Sequence, residues 1–261
     1  LRQQLKADHE AATALCLKMG VLSCKELREA LDFECDNKGL SAADLATLGT
    51  LGSVLPALVH LTLVENSGDS SAVHDGAEQL VEALGAGALP DVTLFALSDM
   101  HVGDAGALAL AAALDRGALP RLKILHLSSA AIGDAALVAL APALRRRTAL
   151  ESLILGDNPL GDEGLAALVA PPPPAGAPPL PTGGLKKLKE LELDCTQITD
   201  AGCAALAAAL DSGALPALKV LILDDIPASD AAKAAVYAAR ANLSATDADV
   251  ECESEDGEEG S

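Results

Sequence analysis

The chain has 261 residues, half of them apolar and only 1% aromatic, and its formal net charge is -20 at pH 7. This strongly negative charge argues against nucleic acid and anionic membrane surfaces as partners and favours neutral or basic ones. No apolar run reaches the roughly 18 residues that span a bilayer, and the first residues lack the apolar core of a signal peptide.

The six cysteines contain no C-x-x-C pair and have no histidine nearby in a zinc-binding spacing. We therefore expect reduced thiols in a protein of the cytoplasm or the nucleus, with no metal and no cofactor. Cys35 and Cys203 are expected to be buried as small apolar residues. A disulfide between Cys195 and Cys203 is the alternative.

Residues 1–29 are predicted to be helical. Residues 1–20 read as one helix, and Ser23 with Glu26 forms a capping-box pattern that opens a short helix or a turn. The segment is either an N-terminal cap or the remnant of an earlier repeat.

A register of apolar positions, Leu-x-x-Leu-x-Leu, recurs from residue 30 to residue 243. Its seven copies start 28 to 38 residues apart, at Ala30, Leu58, Val92, Leu122, Leu150, Leu188 and Leu218. In the copy at Leu122, Leu125 and Leu127 are two apart and share one face of a short strand. Asp134 is then expected to cap a helix whose apolar residues form one stripe: Leu137, Leu140 and Leu144.

Asp36-Asn37-Lys38-Gly39 superficially resembles the start of an EF-hand loop, which would bind calcium. With Gly39 at loop position six, Lys38 occupies position five and Leu45 occupies the position of the bidentate glutamate. The repeat interpretation of this segment is therefore preferred.

Proline marks several connections. Gly-Ala-Leu-Pro recurs at 87–90, 117–120 and 213–216, where glycine ends a helix, leucine turns into the core and proline prevents continuation. Pro142 falls inside the helix that Asp134 begins, so a short or kinked helix is expected.

Two segments depart from the repeat. A Pro-rich insertion at 171–184 contains P-x-x-P spacings that SH3, WW or profilin-type modules read, although a solvated loop is the simpler interpretation. Residues 244–261 are acidic and are predicted to be a disordered tail.

The phrases at 150–165 and 188–203 make the repeat resemble those of leucine-rich-repeat proteins, specifically the ribonuclease-inhibitor-like subfamily. The resemblance implies an α/β solenoid, or horseshoe, with parallel strands on the concave face and helices on the convex face. The asparagine usual after the strand survives only as Asn66 and Asn158, so its ladder is largely missing. In repeat type and acidic tail the chain is also similar to Ran GTPase-activating proteins.

In such a solenoid the residues between the leucines project from the concave face. The predicted strands begin with Lys123, Lys189 and Lys219 and end in acids, while His60 and His126 are expected at neighbouring positions. The candidate partner-binding residues are Glu65, Asp99, His126, Asp157, Glu192, Asp194, Asp224 and Asp225. Alternatively, these acids are solvated residues that the turn geometry favours.

No nucleophile, phosphate-binding loop or dinucleotide fingerprint accompanies these residues, so no enzymatic activity is expected. The preferred function is a non-catalytic protein-protein interaction module that binds its partner on the concave face. The alternative, from the resemblance to Ran GTPase-activating proteins, is a regulator that accelerates hydrolysis on a small Ran-like GTPase. A recognition fragment of a larger sensor or ubiquitin-ligase receptor is a third interpretation.

Overall fold

A computed structural model describes residues 2–20, 23–64, 70–169 and 185–245. The strands are β1 (Asp32–Asp36), β2 (His60–Val64), β3 (Leu94–Ser98), β4 (Ile124–His126), β5 (Ser152–Ile154), β6 (Glu190–Glu192) and β7 (Val220–Ile222). The helices are α1 (Arg2–Lys18), α2 (Cys24–Glu29), α3 (Ala42–Leu51), α4 (Ser70–Ala83), α5 (Gly103–Asp115), α6 (Asp134–Arg145), α7 (Asp162–Val169), α8 (Asp200–Asp211) and α9 (Asp230–Ala238). A short 3₁₀ turn at Gly52–Val54 follows α3. Glu65, the Pro-rich insertion and the tail from residue 246 lie outside the described residues, and the domain boundaries stay predictions.

The described strands form one parallel sheet whose order, β1 to β7, is the order of the chain. From β1 onward a helix follows each strand and packs on the same face of the sheet, since parallel strands need crossover connections. The predicted fold class is thus confirmed: an α/β leucine-rich-repeat solenoid with strands on the concave face and helices on the convex face. Among the described helices, none is both long and apolar enough to cross a lipid bilayer.

One column of side chains runs through the centre of the core. The sheet register aligns the second apolar position of every repeat, and all its members are nearly inaccessible to solvent: Phe33, Leu61, Phe95, Leu125, Leu153, Leu191 and Leu221. The predicted register is therefore confirmed.

The Gly-Ala-Leu-Pro connectors place leucine in the left-handed region of the backbone. Leu89, Leu119 and Leu215 have φ of 52°, 51° and 49° and are buried. A bulky residue rarely adopts this conformation. The burial of each leucine offsets the strain and fixes the chain direction into the next strand.

Aspartates at helix starts link neighbouring repeats. Asp134 Oδ1 accepts hydrogen bonds from the backbone N–H of Gly161 (2.7 Å) and Gly164 (2.9 Å), which belong to the next repeat. A Cβ at Gly164 would lie 2.8 Å from the same oxygen, so glycine is needed for this approach. Equivalent bonds join Asp162 to Thr199 and Asp200 to Ser229. The prediction that Asp134 caps its own helix is wrong, because Gly133 is the N-cap and makes no side-chain bond.

Asn158 is the described asparagine of the sparse predicted ladder. Its buried Oδ1 accepts from the backbone N–H of Ala130 and Ile132, and its Nδ2 donates to the carbonyls of Leu127, Leu155 and Gly156. It therefore satisfies backbone groups of two repeats at once.

The structure tests two sequence-based interpretations, one concerning Pro142 and one concerning the segment that resembles an EF-hand. Helix α6 contains Pro142 but runs through 12 residues, as long as α8, so the expected shortening is wrong. Pro142 is exposed, so water can solvate the carbonyl that lacks its N–H partner.

In the segment resembling an EF-hand, Ser41 and Asp44 form a capping box that opens α3, in agreement with the repeat interpretation.

Replacing Leu125 by Asp is expected to unfold the repeats around β4. An unpaired buried charge costs several kcal/mol, comparable with the whole stability of a domain. Circular dichroism and thermal melting measure the effect, with Val138→Asp on the exposed face of α6 as the control. Native spectra and melting temperature in Leu125→Asp would contradict the register.

Asp134→Ala is expected to destabilise the protein by about 1 to 2 kcal/mol, because two backbone donors of the next repeat lose their acceptor. Glu163→Ala, at the exposed start of α7, is the matched control. Chemical denaturation of both variants checks this, and equal midpoints would show that the inter-repeat bonds contribute nothing.

Candidate interaction surface

The open face of the sheet presents two columns of side chains, one on each side of the buried column. The first contains Asp32, His60, Leu94, Ile124, Ser152, Glu190 and Val220; the second contains Glu34, Thr62, Ala96, His126, Ile154, Glu192 and Ile222. The outward positions of β1 and β2 are thus all polar, whereas those of β3, β4 and β5 include aliphatic side chains.

Aliphatic side chains occupy solvent-facing positions in the middle of this face. Leu94, Ile124 and Ile154 are half-buried on the side of the sheet that lies opposite the helices of the described residues; we call these three the aliphatic patch. Leu94 and Ile124 are paired in the register, and Ile154 lies on the next strand in the other column. Apolar side chains grouped on an exposed face often mark a binding site. The sequence interpretation missed it because it followed the leucines and the acids rather than the intervening positions.

Strand β6 has acidic side chains at successive outward positions. We call Glu190 and Glu192 of this strand, together with Asp194 two residues beyond its end, the β6 acidic ridge. Glu192 and Asp194 were predicted site residues, and Glu190 was not. On one side the ridge faces Ser152 and Ile154 of β5, and on the other it faces Val220 and Ile222 of β7.

Carboxylates crowd together where the last strands end. The side-chain oxygens of Asp157 and Asp194 and the Cys195 sulfur lie within 4.8 Å of one another. Burial, and then the like charges of Asp157, Asp224 and Asp225, raise the pKa of the Asp194 carboxyl above its usual range. A Cβ at Gly156 would lie 2.5 Å from Asp194 Oδ1, so a larger residue at position 156 would require this carboxylate to shift.

This cluster is spaced to bind a cation, but exposed acids commonly lie this close without one. Desolvation and the carboxylates of Asp157, Asp194 and Asp225 raise the pKa of the Cys195 thiol. The thiolate that metal binding or nucleophilic attack requires is therefore disfavoured. No metal is assigned to it.

Several predicted acids occupy one backbone position with positive φ. Asp99, Asp157 and Asp225 have φ of 55°, 55° and 52°, and the equivalent residues Asn37, Ser129 and Cys195 share the conformation. Aspartate and asparagine tolerate this region better than most residues. The turn alone therefore accounts for these three aspartates, whereas it does not require an acid at Glu192, Asp194 or Asp224.

The two histidines do not form a pair. His60 and His126 lie in different columns, and strand β3 separates their strands, so the predicted neighbouring positions are wrong. His60 Nδ1 contacts Asp32 Oδ1, and His126 Nε2 lies 3.1 Å from Ser128 Oγ. Burial lowers the pKa of His126, against the opposing charge of Asp99, so this imidazole is neutral at pH 7.

The lysines at the strand entrances are partly neutralised. Glu151 accepts from Lys189 Nζ at 2.7 Å and lies 4.0 Å from Lys123 Nζ. At the entrance edge of the open face the positive charge is therefore partly neutralised, whereas the exit edge is acidic.

Comparisons with known proteins agree with this architecture. The family model described as "Leucine Rich repeat" matches residues 119–141, 148–169 and 184–207, which contain β4, β5 and β6. These three segments are leucine-rich repeats, and they hold most of the aliphatic patch and the whole acidic ridge. No curated protein matches the chain.

Two solved structures are reported for their similarity to this chain. Internalin C2 from Listeria monocytogenes is 19% identical, covers 89% of this chain and 80% of its own, and gives a TM-score of 0.48. The actin-binding site 2 of leiomodin-1 is 15% identical, covers 65% of this chain and 88% of its own, and gives a TM-score of 0.40. The matches do not test the ribonuclease-inhibitor-like subfamily or the Ran GTPase-activating resemblance.

Asp194→Asn is expected to raise the melting temperature at pH 7. A carboxyl whose pKa is raised on folding binds its proton more tightly in the native state, so stability falls as pH rises through its unfolded and then its folded pKa. The increase in melting temperature should disappear below about pH 3.5, where the Asp194 carboxyl is protonated in the unfolded chain as well. Melting curves across this range measure it.

Asp36→Asn is the control, because Asp36 occupies the equivalent position in the first repeat, at the far end of the sheet. A pH-independent gain in Asp194→Asn, or an equal gain in the control, would contradict the electrostatic explanation.

Proposed function

We propose that this protein is a non-catalytic binding module that holds another protein against the open, concave face of its sheet. The observation that carries the proposal is the aliphatic patch, Leu94, Ile124 and Ile154, which is half-buried on a face that none of the described helices covers. Burying such side chains in an interface stabilises a complex by about 25 cal/mol for each Å² removed from water.

The charges beside the patch indicate the character of the partner. The β6 acidic ridge and Asp224 border the aliphatic side chains on one side, so a complementary surface is apolar at its centre and basic at one edge. Complementary charge of this kind raises association rates and excludes acidic partners. Asp99, Asp157 and Asp225 contribute to the negative field, although their backbone positions supply a separate reason for them.

The other interpretations of the sequence stay predictions. GTPase activation rests on the resemblance to Ran GTPase-activating proteins, and an increased rate of phosphate release from a GTP-loaded Ran-type GTPase would establish it. Recognition of the Pro-rich insertion by SH3, WW or profilin-type modules involves residues outside the described ranges. Location in the cytoplasm or nucleus rests on the cysteine pattern of the sequence.

The test compares charge introduction on the two faces of the solenoid. Ile124→Lys combined with Ile154→Lys alters the concave face, and Leu108→Lys combined with Val138→Lys is the matched control on α5 and α6. Leu108 is 54% exposed and Val138 is 38% exposed, so the control adds the same charge to the convex face. Tagged proteins are used for affinity capture from cell extract, quantified by mass spectrometry.

We expect at least tenfold loss of a captured partner with the concave variant and retention with the control, since the inserted cations oppose a basic partner. The triple variant Asp99→Lys, Asp157→Lys, Asp225→Lys should weaken capture less. Equal capture by the concave variant and the control would refute binding at the open face, provided that both variants melt as the parent protein does.

A further inference from the structure

Positive charge lies along the edge of the sheet where the later strands begin. Backbone hydrogen bonds of 2.7 to 2.8 Å join the residues that immediately precede or open these strands into one row: Lys123, Glu151, Lys189 and Lys219. We call these four residues the entrance row. Its three lysines are exposed, and they outnumber its single acid although the whole chain has a net charge of -20. The row therefore differs in sign from the chain as a whole.

One carboxylate serves the whole entrance row. Glu151 Oε2 accepts from Lys189 Nζ at 2.7 Å, and its Oε1 lies 4.0 Å from Lys123 Nζ. The hydrogen bond from Lys189 and, against the effect of burial, the charges of Lys189, Lys123 and Lys187 hold the pKa of the Glu151 carboxyl below its usual range. Lys187 and Lys219 are exposed and form no salt bridge within the described residues. A positive surplus is therefore left along this edge.

The described chain ends beside this row. Ser244 N–H donates to Lys219 O at 2.7 Å, and Leu221 N–H donates to Ser244 O at 3.0 Å, so Ser244 occupies the place in the row after Lys219. The Arg240 guanidinium donates to two carbonyls of the preceding connector, which holds this last turn in position. The sequence that follows therefore starts one strand spacing, about 4.8 Å, from the backbone of Lys219.

That following sequence is acidic, and its acids alternate with other residues. Residues 246–261 contain eight acids and no lysine or arginine. Five of the acids occupy every second position: Asp247, Asp249, Glu251, Glu253 and Glu255. We call residues 247–255 the acidic segment. Alternate residues of an extended chain share one side and are about 6.7 Å apart, so this segment can present five carboxylates on one side.

Two directions are open to the acidic segment, and charge favours one of them. If the chain continued beside β7 in the register that pairs Val220 with Ser244, residue 248 would lie beside Asp224. The alternating acids would then meet the carboxylates of Asp224 and Asp225, and like charges on neighbouring strands are destabilising. If the chain turns back across the strand entrances, the same acids meet the lysines of the entrance row.

We propose that the acidic segment binds along the entrance row, with its alternating carboxylates against Lys219, Lys189 and Lys123. This intramolecular contact goes beyond the concave-face function and does not depend on it. The row spans three strand spacings, about 14 Å, whereas nine extended residues reach about 30 Å. Single exposed ion pairs contribute little. Because the segment is tethered beside the row, several such pairs act together at a high effective concentration.

The test places a nitroxide spin label on Cys252, inside the acidic segment of the full chain. Cys24→Ser combined with Cys195→Ser directs the label to this thiol, because the three other cysteines are buried. The label weakens the NMR signals of backbone amides that lie near it. The signal loss is compared between the two edges of the same repeats.

We expect greater signal loss at Lys123 and Glu151 than at Ser129 and Asp157, which lie at the exits of the same two repeats. This difference should be present at about 10 mM salt, where the Debye length is about 30 Å, and absent at about 1 M salt, where it is about 3 Å. A synthetic peptide with the sequence of residues 246–261, added in excess, should displace the tethered segment and also abolish the difference. The same peptide with amides in place of its side-chain carboxylates should not.

Charge variants separate the entrance row from general attraction. Lys189→Gln combined with Lys219→Gln should abolish the difference between the edges. Lys25→Gln combined with Lys38→Gln removes the same charge from exposed positions near the other end of the solenoid and should retain it.

Each other outcome overturns the proposal. Equal signal loss at the two edges, or greater loss at the exit edge, would show that the segment does not bind along the entrance row. A difference that persists at high salt, in the variant lacking Lys189 and Lys219, or only in response to the amide peptide would exclude ion pairing as its cause. The salt and peptide experiments leave the row unaltered, so they test the proposal even if a lysine variant fails to fold.

Discussion

The structure depends on the parallel pairing of one short strand per repeat with its neighbours. This pairing aligns the buried column from Phe33 to Leu221, and each repeat buries its apolar face only because the next repeat is present. The outward positions are free of this requirement. The same register that fixes the core therefore also sets which side chains become neighbours on the open face, as it does for Ser152 and Glu190.

Acidic residues on this protein have different physical causes. Asp99, Asp157 and Asp225 occupy a turn position with positive φ, and Asp134, Asp162 and Asp200 accept backbone hydrogen bonds from the following repeat. Neither reason applies to Glu190, Glu192 and Asp194. The charged form of Asp194 is disfavoured at its position, since burial and neighbouring carboxylates raise the pKa of its carboxyl group. A group retained against such a cost is a better candidate for function than one that the backbone requires.

The fold was predictable from sequence because leucine spacing reports the buried column directly, and every predicted repeat start from Leu58 to Leu218 is buried. The candidate site was predictable only in part. Glu192 and Asp194 were predictable because they occupy equivalent positions in the aligned repeats. Which side chains flank β6 depends on the strands on either side of it, and the sheet register is needed to identify them. The roles of Asp134 and Pro142 depended on tertiary contacts and on exposure, which local propensity does not encode.

The aspartate links between repeats also give the solenoid a polarity. Each carboxylate belongs to one repeat and caps backbone donors of the repeat that follows, as Asp134 does for Gly161 and Gly164. Removing a C-terminal repeat leaves behind a carboxylate, which water solvates readily. Removing an N-terminal repeat leaves the next helix start without its acceptor. Removal of repeats from the C-terminal end should therefore destabilise the remaining array less than removal of repeats from the N-terminal end.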